Sequence, residues 1–347
     1  MPPVPSTAEP QTPPATDDAC YLALKARDAR LDGRFFTGVT STGIYCRPVC
    51  RVRTPRRENC QFFALAAQAE QAGFRPCLRC RPELAPAVGA PSDTLRPWSR
   101  QDAAQILAHQ AAQWLDEPTR WNGNADGAMP RMADVAQRLG VSERHLRRIF
   151  EAHWGVSPLQ YLQTRRLLMA KRLLTDTALP VAQVAHLSGF ASVRRFNASF
   201  AEHYRLQPRQ LRVQRDTEPA VLGAATAGAI TLKAAYRPPY DVAAMLNFFA
   251  TRQLDGVEAV DVARLTLSRT LALAQGGHTR VGWVCARFVP ARCAVELQVS
   301  PSLLDVLPQV LARLRALLDL DADPLAINAV LHADFPGQDG LRVPGCL

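Results

Sequence analysis

Four cysteines in two close pairs constrain this chain more than any other feature of its sequence. Three residues separate Cys46 from Cys50, two separate Cys77 from Cys80, and 26 residues lie between the pairs. Four thiols within reach of one another across a short, loop-rich stretch are what a tetrahedral zinc ion requires of a protein. The surrounding region, 17–86, has little else to build a core from. Phe35, Val39, Ile44 and Tyr45 offer a small strand-forming surface, and 64–73 reads as a short helix ended by Gly73. So small a core is marginal alone, and a metal staple supplies the missing stability. A small zinc-stapled α/β domain is therefore expected over 17–86, with Cys46, Cys50, Cys77 and Cys80 as metal ligands.

Disulfides are the alternative use of nine cysteines. The Pro/Thr/Ala-rich start, 1–16, lacks the basic opening and apolar core of a signal peptide, and a disordered tail is expected there. The expected location is cytoplasmic, where thiols stay reduced and clustered ones serve metals. Cys60 has no partner at ligand spacing and reads as a packed thiol. Cys285 and Cys293 alternate with apolar residues in strands and read as core, and Cys346 is given no role. No apolar run approaches the roughly 18 residues of a membrane span, so no membrane partner is expected.

The net charge of +10 is unevenly placed. Residues 17–86 carry twelve Lys/Arg against seven Asp/Glu and residues 131–215 carry fifteen against five, whereas 219–347 balance at eleven each. Two basic segments followed by a neutral one are an electrostatic footprint for nucleic acid over the first two-thirds of the chain.

Residues 87–99 read as a Pro/Gly linker, 101–115 as a helix, and 116–130 as a loop. From 131 the chain repeats itself. Val135-Ala136-Gln137-Arg138-Leu139-Gly140 recurs as Val184-Ala185-His186-Leu187-Ser188-Gly189, and Phe150-Glu151-Ala152-His153-Trp154 as Phe200-Ala201-Glu202-His203-Tyr204. Each copy has a small Ala where two helices cross, a Gly four residues later, and a second helix opened by a serine cap, Ser142 or Ser192. Leu146, Ile149 and Phe150 are expected inward in the first, and Val193, Phe196 and Phe200 in the second. Arg144, His145, Arg147 and Arg148, then Arg194, Arg195 and Asn197, are left outward. This is helix-turn-helix geometry twice, fit for successive major grooves and joined by one helix over 159–174. An all-α double helix-turn-helix domain is expected over 100–215. Arg205 stands where the first copy has Gly155.

After a linker at 216–225 the period changes. Strands are expected at 230–236, 257–262, 265–273, 281–289 and 294–299, and helices at 241–252, 303–318 and 324–335. This C-terminal domain, 226–347, is α+β with a mainly antiparallel sheet, so the whole chain is multidomain α+β.

Three resemblances attach to these segments. Thr42-Gly43-Ile44-Tyr45-Cys46-Arg47-Pro48-Val49-Cys50-Arg51, Arg57-Glu58-Asn59 and Ala72-Gly73-Phe74-Arg75-Pro76-Cys77-Leu78-Arg79-Cys80 resemble the N-terminal domain of the Ada-type adaptive-response proteins. The resemblance implies that Cys46 is both zinc ligand and nucleophile, taking a methyl group from a methylated DNA backbone phosphate. It also implies DNA contacts at Thr42, Arg51, Arg53 and Arg75. The double repeat is similar to the AraC-type DNA-binding domain. Tyr236-Arg237-Pro238-Pro239-Tyr240-Asp241 and Gly340-Leu341-Arg342-Val343-Pro344-Gly345-Cys346 look like the N-terminal domain of AlkA-type alkylbase DNA glycosylases. That family's catalytic domain would begin where these residues stop, so base excision is not expected of them.

The function these readings imply is a DNA-alkylation sensor: a stoichiometric methylphosphotriester methyltransferase that, once methylated, binds promoters and activates repair genes. Its expected partners are double-stranded DNA, at methylated backbone and promoter sites, and RNA polymerase. Two other readings stay open from the residues alone: an AraC-type transcription factor whose zinc is purely structural, and a DNA-3-methyladenine glycosylase fusion cut short before its catalytic domain.

Overall fold

A computed structural model describes residues 16–87, 100–121, 132–213, 229–275, 277–332 and 334–345. The expected tail, both linkers and the far end of the 116–130 loop lie almost wholly outside the described residues, as does Cys346.

The first region opens with helix α1 (Asp17–Ala26), capped by Thr16 Oγ1 accepting from Ala19 N, and it was not foreseen from periodicity. Strands β1 (Phe36–Val39), β2 (Ile44–Cys46) and β3 (Cys60–Phe63), helix α2 (Ala66–Gln71) and strand β4 (Arg75–Pro76) follow. The sheet order is β3-β1-β2-β4, with β1 antiparallel to both neighbours and β2 parallel to β4. Its core is Phe36, Tyr45, Ala66, Ala69 and Phe74, and Leu168 from the following region completes it.

The second region is helical: α3 (Arg100–Asp116), α4 (Met132–Arg138), α5 (Glu143–Trp154), α6 (Pro158–Asp176), α7 (Val181–Leu187), α8 (Val193–Tyr204) and α9 (Pro208–Val213). Both serine caps form, Ser142 Oγ accepting from His145 N and Ser192 Oγ from Arg195 N, each at 3.2 Å. Satisfying the free amides of the first turn is why each second helix starts there. Leu146, Ile149, Phe150, Phe196 and Phe200 are buried, but Val193 is 39% exposed. As the first residue after its cap, Val193 sits in a turn that has not yet reached the core. In the second turn, a Cβ at Gly189 would come within 2.8 Å of Arg166 Nε and Trp121 Cβ, so the crossing tolerates no side chain. Arg205 adopts the same left-handed conformation as Gly155, φ 53° against 68°, and still closes its helix with N–H to the Ala201 carbonyl. The departure changes the cost of the helix end and not its geometry.

The third region holds β5 (Ile230–Ala235), α10 (Val242–Ala250), β6 (Glu258–Asp261), β7 (Thr266–Gln275), β8 (His278–Val289), β9 (Ala294–Val299), α11 (Leu307–Leu317) and α12 (Pro324–Leu331). Its sheet, β5-β9-β8-β7-β6, is antiparallel throughout. The fold class is thus multidomain α+β, as expected. Cys285 is half-buried in β8. Cys293 is half-buried against the core but precedes β9 in a left-handed turn, not in a strand. Among the described residues no helix is long and apolar enough to cross a membrane.

The three regions do not keep separate cores. Helix α6 is the shared spine: it buries Leu168 against the first sheet, Tyr161 and Leu162 with the first helix-turn-helix copy, and Leu167, Leu173 and Leu174 with the second copy and the C-terminal sheet. Its polar residues are also consumed inside. Lys171 Nζ meets Glu83, which also takes Arg81 Nε at 2.9 Å, and Arg172 Nη2 donates to the Lys233 carbonyl. Thr164 Oγ1 donates to Glu70 Oε2 at 2.7 Å, and Glu70 Oε1 accepts from Tyr45 OH at 3.0 Å.

Candidate metal centre

Each pair of cysteines sits on a strand end and the turn that follows. Cys46 is the last residue of β2 and Cys50 follows in the turn; Cys77 and Cys80 come after β4. Because β2 and β4 are parallel neighbours, Tyr45 opposite Pro76, both turns leave the same end of the sheet. The four sulfurs consequently lie within 4.8 Å of one another. A zinc–thiolate tetrahedron with bonds of about 2.3 Å has sulfurs about 3.8 Å apart, so the cluster needs only a slight contraction to hold the ion. Cys46, Cys50 and Cys77 are buried and Cys80 half-buried, with Ile44 and Val52 packed around them.

The thiols share protons unevenly. Hydrogen bonding with Cys50 raises Cys46 and hydrogen bonding with Cys46 lowers Cys77. Cys80 rises and Cys50 falls for the same reason, each in a hydrogen bond with Cys46. Four sulfurs this close cannot all ionise without a cation among them, and four soft thiolates are a donor set that suits zinc.

Backbone amides distinguish the ligands. Arg47 N–H donates to Cys80 Sγ at 3.4 Å, and the amides of Val52 and Cys80 favour the thiolates of Cys50 and Cys77. Among the described residues no backbone amide reaches the Cys46 sulfur. Exposure does not single it out, since Cys46 is only 6% exposed.

The cationic residues expected beside the cluster divide into two groups. Thr42, in the β1–β2 turn, and Arg51 and Arg53, after Cys50, are exposed, and Arg75 on β4 is half-exposed beside Ile44. None of the three arginines has an ion pair among the described residues. Arg47, passed over at the sequence level, is instead buried: Nε donates to Asp32 Oδ1 at 2.8 Å, Nη2 meets Asp32 Oδ2, and Nη1 donates to the Cys80 carbonyl at 3.0 Å. Its only sequence signal was its place between two ligands.

On the helix-turn-helix faces, Arg144, Arg148, Arg194 and Arg195 are exposed and without ion pairs among the described residues. Arg147 is exposed but pairs with Glu151 at 2.8 Å. His145 is half-buried with Nδ1 3.1 Å from Arg148 Nη2. Asn197 is half-buried and its Oδ1 is enclosed without a partner, so it is less available than its spacing suggested. The structure does not gather all eleven candidate DNA contacts at one place. It does bring Arg205, past the end of α8, to a cleft of about 550 Å³ that it lines with Thr40, Thr42, Gly43, Gln61 and Gly73.

Each of the three regions is similar to a known family. Residues 19–83 match the family model for the metal-binding domain of Ada, 135–214 that for a helix-turn-helix domain, and 231–347 that for the AlkA N-terminal domain. The chain is 34% identical over 321 residues to the probable bifunctional transcriptional activator/DNA repair enzyme AlkA of Mycobacterium tuberculosis, covering 91% of this chain and 59% of that protein. It is 37% identical over 163 residues to the bifunctional transcriptional activator/DNA repair enzyme Ada of Escherichia coli, covering 47% of this chain and 39% of that one. A crystal structure of a methylated N-Ada/DNA complex is 32% identical, covering 44% of this chain and 98% of that chain, with a TM-score of 0.19. The chain thus spans less than two-thirds of the length of the two curated relatives.

Proposed function

From a chain that joins an Ada-type metal-binding domain, a helix-turn-helix domain and an AlkA N-terminal domain in that order, we propose a stoichiometric sensor of DNA alkylation. Cys46, Cys50, Cys77 and Cys80 hold zinc. The bound ion would keep the thiols deprotonated, which makes a sulfur nucleophilic at neutral pH. Cys46 Sγ attacks the methyl carbon of a methylphosphotriester. A sulfur–carbon bond forms as the carbon–oxygen bond breaks, and the electron pair leaves on the phosphodiester oxygen. The observation that carries this reading is the gathering of four cysteine sulfurs within 4.8 Å of one another, with the exposed arginines Arg51 and Arg53 following directly after Cys50.

The thioether cannot give the methyl back by any group the site offers, so each chain reacts once. Thr42, Arg51, Arg53 and Arg75 bind the damaged backbone. Methylation removes one negative charge from a cluster that faces phosphate, and backbone affinity follows charge steeply. Arg144, His145, Arg147, Arg148, Arg194, Arg195 and Asn197 then read promoter grooves, and the bound protein recruits RNA polymerase in the cytoplasm. The test is duplex affinity before and after treatment with a methylphosphotriester duplex, by fluorescence anisotropy. Tighter binding after treatment is expected, and identical titrations would return the site to a purely structural role.

A further inference from the structure

Among the contacts between the C-terminal domain and the metal-binding region, one side chain is almost completely buried. Arg237 follows β5 and is 1% exposed. Its guanidinium donates five hydrogen bonds, all to backbone carbonyls. Nε goes to Asp32 at 2.8 Å, Nη1 to Asp321 at 2.8 Å and Ala322 at 3.2 Å, and Nη2 to Ala87 at 2.7 Å and Pro86 at 3.3 Å. Two acceptors belong to the metal-binding region, one to Ala87 directly after it and two to its own domain, so every N–H of the fork is used to fix one region against the other.

Asp32 is the next link. While its carbonyl accepts from Arg237, its carboxylate clamps Arg47, and both side chains are buried. Arg47 passes the constraint to the ligands in two ways: its amide donates to Cys80 Sγ and its guanidinium to the Cys80 carbonyl. It is also bonded directly to Cys46 along the chain. A metal ligand's outer partners fix its orientation and basicity, and a ligand tethered through two buried arginines cannot drift when the ion is loaded. Separately, Arg34 pairs with Asp323 across the same interface.

We propose that Arg237 is a positioning residue of the four-cysteine centre, so that the AlkA-like domain serves as a structural part of the metal site through the relay Arg237, Asp32, Arg47, Cys80. This rests on the cluster holding zinc but not on methyl transfer. The role requires no base-removal chemistry of that domain.

The test uses the full chain loaded with zinc, with metal release timed by a chromogenic chelator, and the cobalt-substituted protein for its thiolate charge-transfer absorption. Arg237→Met is expected to speed release about ten- to a hundredfold and to shift the cobalt spectrum, as loss of an outer partner does at other sites. Arg237→Lys should not rescue it, because a point donor cannot reach five carbonyls. Asp32→Asn removes the clamp on Arg47 yet leaves the carbonyls that Arg237 binds, and should speed release similarly with the regions still joined. If Arg237→Met does not fold, Asp32→Asn decides alone. Arg34→Met severs the neighbouring bridge and should leave release unchanged. Wild-type release rates in Asp32→Asn, or an Arg34→Met rate as fast as that of Arg237→Met, would overturn the proposal. Failure of the wild type to accept methyl groups would instead strike the functional reading and leave these rates intact.

Discussion

Replacing Glu83 by Gln isolates the electrostatic join between the metal-binding region and helix α6. Burial disfavours the Glu83 carboxylate, yet the charges of Lys171 and Arg81 outweigh that and lower its pKa from 4.5 to about 2. That displacement corresponds to about 3 kcal/mol of preference for the charged form. Because the folded pKa is the lower one, the stabilisation is present above pH 4.5 and is lost as pH falls towards 2. Glu83→Gln preserves shape but leaves Lys171, whose side chain is 1% exposed, without its ion-pair partner. Orphaning one partner of a buried pair costs about 3–5 kcal/mol, so the variant should lose that much at pH 7. Urea unfolding followed by tryptophan fluorescence measures it. Lys171→Met alone should cost a similar amount, and Glu83→Gln with Lys171→Met clearly less than the two together. The difference from wild type should also shrink between pH 4.5 and 2. A loss below about 1 kcal/mol, or a double variant with fully additive costs, would refute the reasoning.

Glu70, at the same interface, titrates oppositely. Burial raises it to about 7, against smaller opposing effects from Thr164, Tyr45 and Lys171. Its protonated form therefore stabilises the fold fully below pH 4.5, and this is lost as pH rises through 7. Glu70→Gln should match wild type near pH 5 and exceed it by about 1–2 kcal/mol at pH 8, allowing for partial solvent screening, in parallel urea titrations. Arg205→Gly relieves a left-handed L-residue and should add about 0.5–1 kcal/mol, read as a higher thermal midpoint. Arg194→Ala and Arg195→Ala should each weaken duplex binding and reduce the slope of log K against log salt by about 1, read by anisotropy across a salt series.

What was legible in the sequence was local or periodic. Cysteine spacing set the cluster, and two repeated Ala-to-Gly turns with serine caps set both helix-turn-helix units. Alternating apolar residues located all five strands of the C-terminal sheet. Contacts across long stretches of chain left no such trace. Arg237 and Asp32 are 205 residues apart, and nothing local marks either as a partner. The same gap inflated the electrostatic footprint: Arg166, Lys171 and Arg172 add to the basic count of 131–215, yet all three are buried. A helix that serves as the spine of three regions can bury charges only because other regions supply the acceptors.

The account turns on one sulfur. After incubation with a duplex carrying a methylphosphotriester, the peptide containing Cys46 should gain about 14 Da, one methyl replacing a proton on sulfur, while the peptide containing Cys77 and Cys80 stays unchanged. Bound duplex with no increment on Cys46, or the increment on another ligand, would contradict it.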